Sequence, residues 1–487
     1  MGGLTMKNRI RIITVVALLM LSCFATAQQA STLYYMDRVF QSQTVNVSEI
    51  PSNKIQVGGL IVPIFGQLPP AFYFNYGNNS FHYNHILHFG KGDMKDSLVL
   101  DMPLLMKKVR KNVSIRNELR VDYLNFSLKT KSNAVFTVSL ADRFMFGTTI
   151  PRNFFDFVLH GNRDYMLEGK SHDISKLSLS ATAFRELGIG FSMEILEKWS
   201  VGARMKLLFG MADVSTDIAS LQLSTDPDMY FITADADMQI RKSTGMLAYD
   251  IMDSSFNFSG ADNLKGDLLN FGNVGVGIDL GMSYKITDKI GVSFSATDIG
   301  FINWLQNSQV ASAKGEYTFE GVEMGFKQND EGKLSYGIDT ARYNIGHIVD
   351  TMVYLFDMDI HNRGYMTWLP ANIYIGATYQ YHEKLGFGFL YRGEFYHKTY
   401  NQSFTLSVNS NLTHWLSLHG SWSFNNNTAL NLGLGFSARL GFITWFMVTD
   451  DVIGLVFPQK AKTVNMRMGC NLTFGHPKKK SKTAAKL

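Results

Sequence analysis

Three groupings in this chain have residue types and spacings that could do chemistry. In NVGVGIDLGMSYKITDKIGVSFSATDIG (273–300), Gly275, Gly277 and Gly281 form a loose glycine series, and Asp298 follows about twenty residues later, the layout of a dinucleotide-binding turn. HYNHILH spaces His82, His85 and His88 three apart, which on a helix would offer imidazoles to zinc. Asp226 and Asp228 in STDPDMY, with Asp235 and Asp237 in ADADM, offer alternate carboxylates to calcium.

Each grouping fails on the element that must position it. A nucleotide turn needs a helix after its glycines. Here Val274, Val276, Ile278, Leu280, Met282, Tyr284 and Ile286 alternate with Gly275, Gly277, Asp279, Gly281, Ser283 and Lys285. After the turn Thr287-Asp288-Lys289 the alternation resumes at Ile290, Val292, Phe294 and Ala296, so a second strand follows. Phe81 and Tyr83 favour a strand for the histidines, which turns His85 away from His82 and His88, and no metal site is expected. No Asp-x-Asp-x-Asp-Gly loop completes the carboxylates, which read as solvated loop acids. There is no Gly-x-Ser-x-Gly, and no Ser, His and acid fall at related heights of neighbouring strands. Neither an enzyme nor a cofactor is expected.

The alternation recurs along the chain. Leu187 to Ile195, Val201 to Phe209, Leu385 to Tyr391, Leu430 to Leu440 and Val464 to Phe474 each set a large apolar row against Gly, Ser, Asn and charged residues. Such two-faced segments, longer than ordinary soluble strands, are the pattern of a transmembrane antiparallel β-barrel with lipid outside and a polar lumen. Short turns at 130–133, 196–199, 287–289, 382–384 and 412–415 are placed in the periplasm. The strands then fall at 54–66, 115–128, 133–147, 179–195, 199–212, 273–286, 289–300, 371–382, 385–396, 402–412, 415–424, 428–441, 442–448 and 463–474. That makes about fourteen strands, with both termini periplasmic. Two large outer excursions remain, 213–272 and 301–370. Helical spacing appears at 97–109, at 151–160 and from Ile345 to Phe356, in outer loops or the mouth. Trp199, Trp415 and Trp445 lie near periplasmic strand ends, where an aromatic girdle belongs.

The ends are distinct. KNRIR, the apolar IITVVALLMLSCFA and Ala25-Thr26-Ala27 read as a signal peptide over 1–27, with Met6 an alternative start and Cys23 a competing lipidation site. Cleavage after Ala27 leaves 487 − 27 = 460 residues and one cysteine, Cys470, too few for an internal disulfide. Residues 28–53 are expected as an N-terminal periplasmic or plug segment, 54–475 as the barrel, and 476–487, with Lys478, Lys479, Lys480, Lys482 and Lys486, as a basic periplasmic tail. The net charge of +5 is concentrated at the two ends, and no basic stripe interleaves with aromatics, so no nucleic-acid partner is expected.

With the strands placed, LRVDYLNFSLKTKSNAVFTVSLADRF, GNRDYML, VGARMKLLFGMADVST and the closing VNMRMGCNLTFG resemble a Bacteroidota family of exported outer-membrane barrels. That family is similar to the FadL-like barrels, which include hydrophobic-compound channels and barrel subunits of the type IX secretion and gliding apparatus. Relatives often carry Asn-Pro-Ala near the mature N-terminus; here the stretch is Asn46-Val47-Ser48, so a plug geometry does not carry over from them. The resemblance implies one of two roles. A transport barrel would pass a small hydrophobic or amphipathic ligand, with Phe154, Phe155 and Phe157 lining an apolar outer mouth. A scaffold barrel would hold a surface-exposed or secreted protein partner. In either case outer-membrane lipid surrounds the wall. The residues expected to face the lumen are Arg204, Lys206, Asp279, Lys285, Arg392, Glu394, Arg439 and Arg467, with both charge signs present.

Overall fold

The computed structural model describes residues 31–59, 69–89, 98–109, 111–160, 170–196, 198–228, 231–245, 247–250, 255–258, 265–319, 327–328, 334–335, 359–396, 399–425 and 431–475. The signal-peptide region, the GNRDYML stretch, the helical spacing from Ile345 to Phe356 and the basic tail lie outside them.

Alternation over this length has one stable outcome, a sheet that curls until its first and last strands pair and no edge is left. The first position in the wall is shared by β1 (Ile55–Gly58) and β2 (Ala71–Asn78). Then come β3 (Asn112–Lys129), β4 (Val135–Pro151), β5 (Ser178–Ile195) and β6 (Trp199–Thr225). Strand β7 (Ile232–Ser243) stands outside the ring, and β8 (Asn273–Lys285) and β9 (Ile290–Trp304) resume it. After the outer strand β10 (Ser308–Phe319), the ring runs on through β11 (Ala371–His382), β12 (Leu385–Tyr396) and β13 (Thr399–Ser410). It finishes with β14 (Leu416–Asn425), β15 (Asn431–Leu440), β16 (Ile443–Thr449) and β17 (Thr463–Phe474). Strand β17 pairs with β1, Phe474 opposite Ile55, and with β2, Arg467 opposite Tyr73. The result is a closed antiparallel barrel of 14 strands.

The two faces differ as the alternation requires. On β8, Val274, Val276, Ile278, Leu280 and Met282 are each 41–46% exposed, while Asp279 is fully buried. Similar rows run down β12, β13 and β15. A continuous apolar exterior of this extent suits hydrocarbon and not water. At the short-turn rim Trp199 lies against Tyr284, ring centres 4.5 Å apart, and Phe442 stacks on Phe474.

Three features depart from the sequence reading. The expected first strand, 54–66, begins as β1 (Ile55–Gly58), its residues 60–66 lie outside the described ones, and β2 (Ala71–Asn78) shares the same place in the wall. Strand β6 runs to Thr225 and not to 212, and its outer half pairs with β7, which pairs with β10. The excursions 213–272 and 301–370 therefore contribute an upper tier of wall that continues β6 beyond the ring. Lastly, the histidine stretch forms a helical turn at Tyr83–Ile86 before a short strand, where a strand throughout was expected. Helices occur at Met102–Lys108, whose N-cap Asp101 accepts the Leu104 amide at 2.8 Å, and at Arg152–His160.

Candidate functional site

Ionic side chains of β3 to β6, β8, β9, β12 and β17 meet inside the ring. Lys206 contacts Asp279 at 2.8 Å and Asp298 at 2.5 Å. Arg143 contacts Glu118 at 2.8 Å, Asp298 at 3.0 Å and Glu186 at 3.5 Å. Arg120 joins Glu186 to Asp122, and Asp122 also holds Arg467 at 3.1 Å. Farther round the wall Glu394 pairs with Arg116 at 2.7 Å and Arg392 at 3.2 Å. Nearly all of these groups are buried, so each charge depends on its partners for the solvation that water would have given it. The signs are almost balanced, which suits a brace across the lumen better than a one-sign ion filter.

Asp298 holds a special place. It has φ = 61°, a left-handed conformation uncommon for any residue other than glycine, inside a strand. The ladder explains this: Ile278 pairs with Ile299 and Leu280 with Ala296, so Asp279 faces two residues, Thr297 and Asp298. This bulge turns the Asp298 carboxylate onto Lys206 and Arg143, while its amide donates to Asp279 at 2.7 Å.

Of the residues read from sequence as luminal, Arg204, Lys206, Asp279, Arg392, Glu394 and Arg467 are all buried. Lys285 and Arg439 lie at the short-turn rim. There Lys285 pairs with Glu194 at 2.6 Å, and Arg439 donates to the Gly441 and Thr473 carbonyls. Sequence reading missed Arg116, Glu118, Arg120, Asp122, Arg143, Glu186 and Asp298. The Arg-Asn-Glu-Leu-Arg-Val-Asp run from Arg116 to Asp122 was a usable signal, since four charges at even positions of one strand must share a face. Phe154 packs on Ile174, Ile218 and Met238, and Phe155 on Phe81, Leu105 and Val113. Val113 is on the face of β3 opposite Arg116. Phe157 meets the His172 ring edge-on at 5.4 Å.

Residues 31–53 cross the ring beneath the ionic network. The Ser31 and Thr32 amides and the Thr32 hydroxyl donate to Asp450 at 2.5–2.8 Å. The Tyr34 hydroxyl bonds Ser293 at 2.9 Å, and Tyr35 donates to the Phe389 carbonyl at 2.5 Å. Farther along the segment Arg204 donates to the Gln43 carbonyl, Ser192 to that of Val47, and Ser48 bonds Ser283 at 2.6 Å. Two glycines allow this approach. A Cβ on Gly202 would lie 2.2 Å from the Val47 carbonyl oxygen, and one on Gly281 2.8 Å from the Ser48 amide nitrogen. Gly281, a member of the series that suggested a nucleotide turn, thus makes room for the chain's own N-terminal segment. The cavity left between segment and network has a volume of about 40 Å³, room for a few waters.

Comparison with known families places the chain by residues 62–450, which match the model of the family of unknown function DUF5723. The chain belongs to this family. No curated protein matches it in sequence. Among solved structures, this DUF5723 barrel is similar to the toluene transporter TodX of Pseudomonas putida, at 8% identity and a TM-score of 0.37, covering 92% of this chain and 93% of that one. A FadL homologue of Pseudomonas aeruginosa is 8% identical with a TM-score of 0.41, covering 93% and 100%. The translocator domain of autotransporter NalP from Neisseria meningitidis is 7% identical with a TM-score of 0.33, covering 91% and 100%. Likenesses this distant do not bear on what the chain carries.

The remaining sequence candidates can be placed. Among the described residues, no three His, Cys, Asp or Glu side chains are grouped to hold a metal. His82 Nδ1 is 2.7 Å from the Lys460 carbonyl, Asp226 accepts the Asp228 amide at 2.8 Å, and Asp237 pairs with Lys314 at 2.8 Å.

Burial affects the carboxyls that attach the N-terminal segment. It pushes Asp450 up to about 6, against the pull of the Thr32 and Ser31 donors. Glu49 is pushed up to about 8 by burial and by the charge of Asp37, against the Ser42 hydroxyl.

Proposed function

We propose that this chain is an outer-membrane barrel that passes a small hydrophobic or amphipathic compound, with residues 31–53 as a displaceable plug. The observation that carries this reading is the crossing of the lumen by the N-terminal segment. Among the described residues the segment joins the wall through hydrogen bonds that involve side chains, some to Asp450 and Arg204, and shares no strand ladder with it, so it can leave without dismantling the ring. The lining supports an amphipathic cargo, because rings and ions alternate there. Tyr34 stacks on Tyr374 at 5.6 Å, Arg116 lies over Tyr396 at 4.3 Å, and Arg467 lies over Tyr73 at 5.8 Å. A second reading, a scaffold barrel holding a surface protein, draws support from the nearly filled lumen and from the upper tier of β6, β7 and β10 beyond the ring.

A disulfide across plug and wall separates the two. Ser48→Cys with Ser283→Cys, oxidised, should hold the segment in place. Proteoliposomes bearing this variant are expected to take up a small amphipathic solute slowly when oxidised and several-fold faster when reduced. Equal uptake in both states, matching protein-free vesicles, would overturn the transport reading in favour of the scaffold.

A further inference from the structure

The barrel carries a polar crevice on its outer face, at the seam between the ring and the upper tier. Strand β6 pairs with β8 from Trp199 to Gly210 and with β7 from Asp213 to Thr225, so β7 stands end-on above β8. Asn273 closes the seam: its Oδ1 accepts the Leu305 and Gln306 amides at 2.8 Å, and its Nδ2 donates to Ser243 at 3.1 Å. The register gives the facing. Ser243 pairs with Asp213, whose carboxylate bonds Thr182 and Tyr365 inside the ring, so the next residue, Lys242, opposite Gln309, points outwards. Phe271 meets Phe209 edge-on at 5.4 Å, on the face of β6 opposite luminal Leu208.

The crevice has a volume of about 1060 Å³. Lys242 and Arg363 line it with the amide side chains of Asn270, Gln306 and Asn362. Its one carboxylate, Asp267, accepts from the Thr244 hydroxyl at 2.5 Å and the Gly245 amide at 2.8 Å and attracts Lys242, so two cations face one anion and the lining keeps a net positive charge. Along the lower edge Leu269, Phe271 and Leu305 are 54–68% exposed, continuous with Val274 and Val276 of the apolar exterior. An occupant must therefore be anionic, rich in hydroxyls and attached to hydrocarbon running down the wall.

We infer that this crevice binds the phosphorylated sugar headgroup of an outer-leaflet glycolipid. The cations meet the phosphate, the amides meet the sugar hydroxyls, and the acyl chains lie over Phe271 and the β8 exterior. The volume suits a disaccharide-sized head. This rests on the outer-membrane placement proposed above.

The test is native mass spectrometry of the full chain in mild detergent with diphosphorylated lipid A, and with lipid A freed of phosphate. Retention of one diphosphorylated lipid per barrel is expected, weakened about tenfold by Arg363→Glu and by loss of the phosphates, with Phe271→Ala also weakening it. Equal retention by wild type and Arg363→Glu, or of the phosphate-free lipid, would overturn the assignment. Faster gel migration of unheated than of heated samples shows that each variant is a closed barrel. A chain that fails to insert into vesicles counts against the membrane placement, whereas one that inserts but keeps no lipid counts against the crevice alone.

Discussion

Asp298 concentrates the physical tension of the site in one residue. Its left-handed backbone is tolerated because aspartate, with asparagine, adopts that region more readily than other side chains, and because Lys206 and Arg143 both need its carboxylate. Asp298→Ala removes an acceptor from two buried cations and places a poorly suited residue in the bulge. A loss of about 3 kcal/mol is expected, since breaking a buried ionic contact leaves charge uncompensated. Asp298→Asn, which keeps the backbone preference, should cost less. Adding Lys206→Met to Asp298→Ala should recover part of the loss, because one stranded charge goes with it. Denaturant unfolding of these three variants and of Lys206→Met alone in lipid vesicles measures this, and strictly additive losses would show that the two side chains are not coupled. The sequence displayed Asp298 but not its role. A lone aspartate in a strand pattern reads as one more inward polar residue, and only the two-against-one pairing opposite Asp279 reveals the bulge.

At the scale of elements, period-two alternation was legible wherever one face meets hydrocarbon, because the contrast between the faces is then large. Strand β8 was expected at 273–286 and occupies Asn273–Lys285, and β17 was expected at 463–474, where it lies. Legibility failed where that contrast weakens or the phase slips. In β2, AFYFNYGN, aromatics stand on both faces because Tyr73 turns inward beneath Arg467. In the outer half of β6 the pairing skips Met211 on one side and Ala219 on the other, and each extra residue reverses which side chains face in. The N-terminal segment has no periodicity to read, since it is held by scattered side-chain bonds. Its pH response follows from Asp450 and Glu49. A carboxyl held above its free value keeps a proton in the bound segment that it loses once released. Binding is thus strongest at low pH and weakens as pH rises through about 6 for Asp450 and about 8 for Glu49. Amide exchange of residues 31–48, corrected for intrinsic rates, should therefore quicken from pH 5 to 8. Asp450→Asn should flatten the rise below pH 6 and leave the part above it, and an unchanged profile would remove Asp450 from the attachment.

For the whole molecule, the proposed outer-membrane placement allows two orientations, and closure of the ring makes the choice between them all-or-none. The Lys54 amide donates to the Phe474 carbonyl at 3.1 Å, so the chain enters and leaves the wall on one rim, the rim of the short turns at Thr130–Asn133 and His382–Lys384. The N-terminal segment is tied to that rim as well, through Arg38 to the Thr413 carbonyl at 3.0 Å and Lys129 to that of Pro51 at 2.7 Å. An N-terminal segment delivered from the periplasm reaches those partners without crossing the ionic network, whereas the reverse orientation would need it to pass Arg143, Lys206 and Asp298 first. Single cysteines decide the matter. With a membrane-impermeant maleimide on intact cells, Asp228→Cys in the upper tier is expected to label and Glu383→Cys in the short turn to stay unlabelled until the outer membrane is permeabilised. Labelling of Glu383→Cys alone would invert the barrel. It would also move the lipid crevice at Lys242 and Arg363 to the inner leaflet, where the lipid-binding proposal would fail together with the orientation.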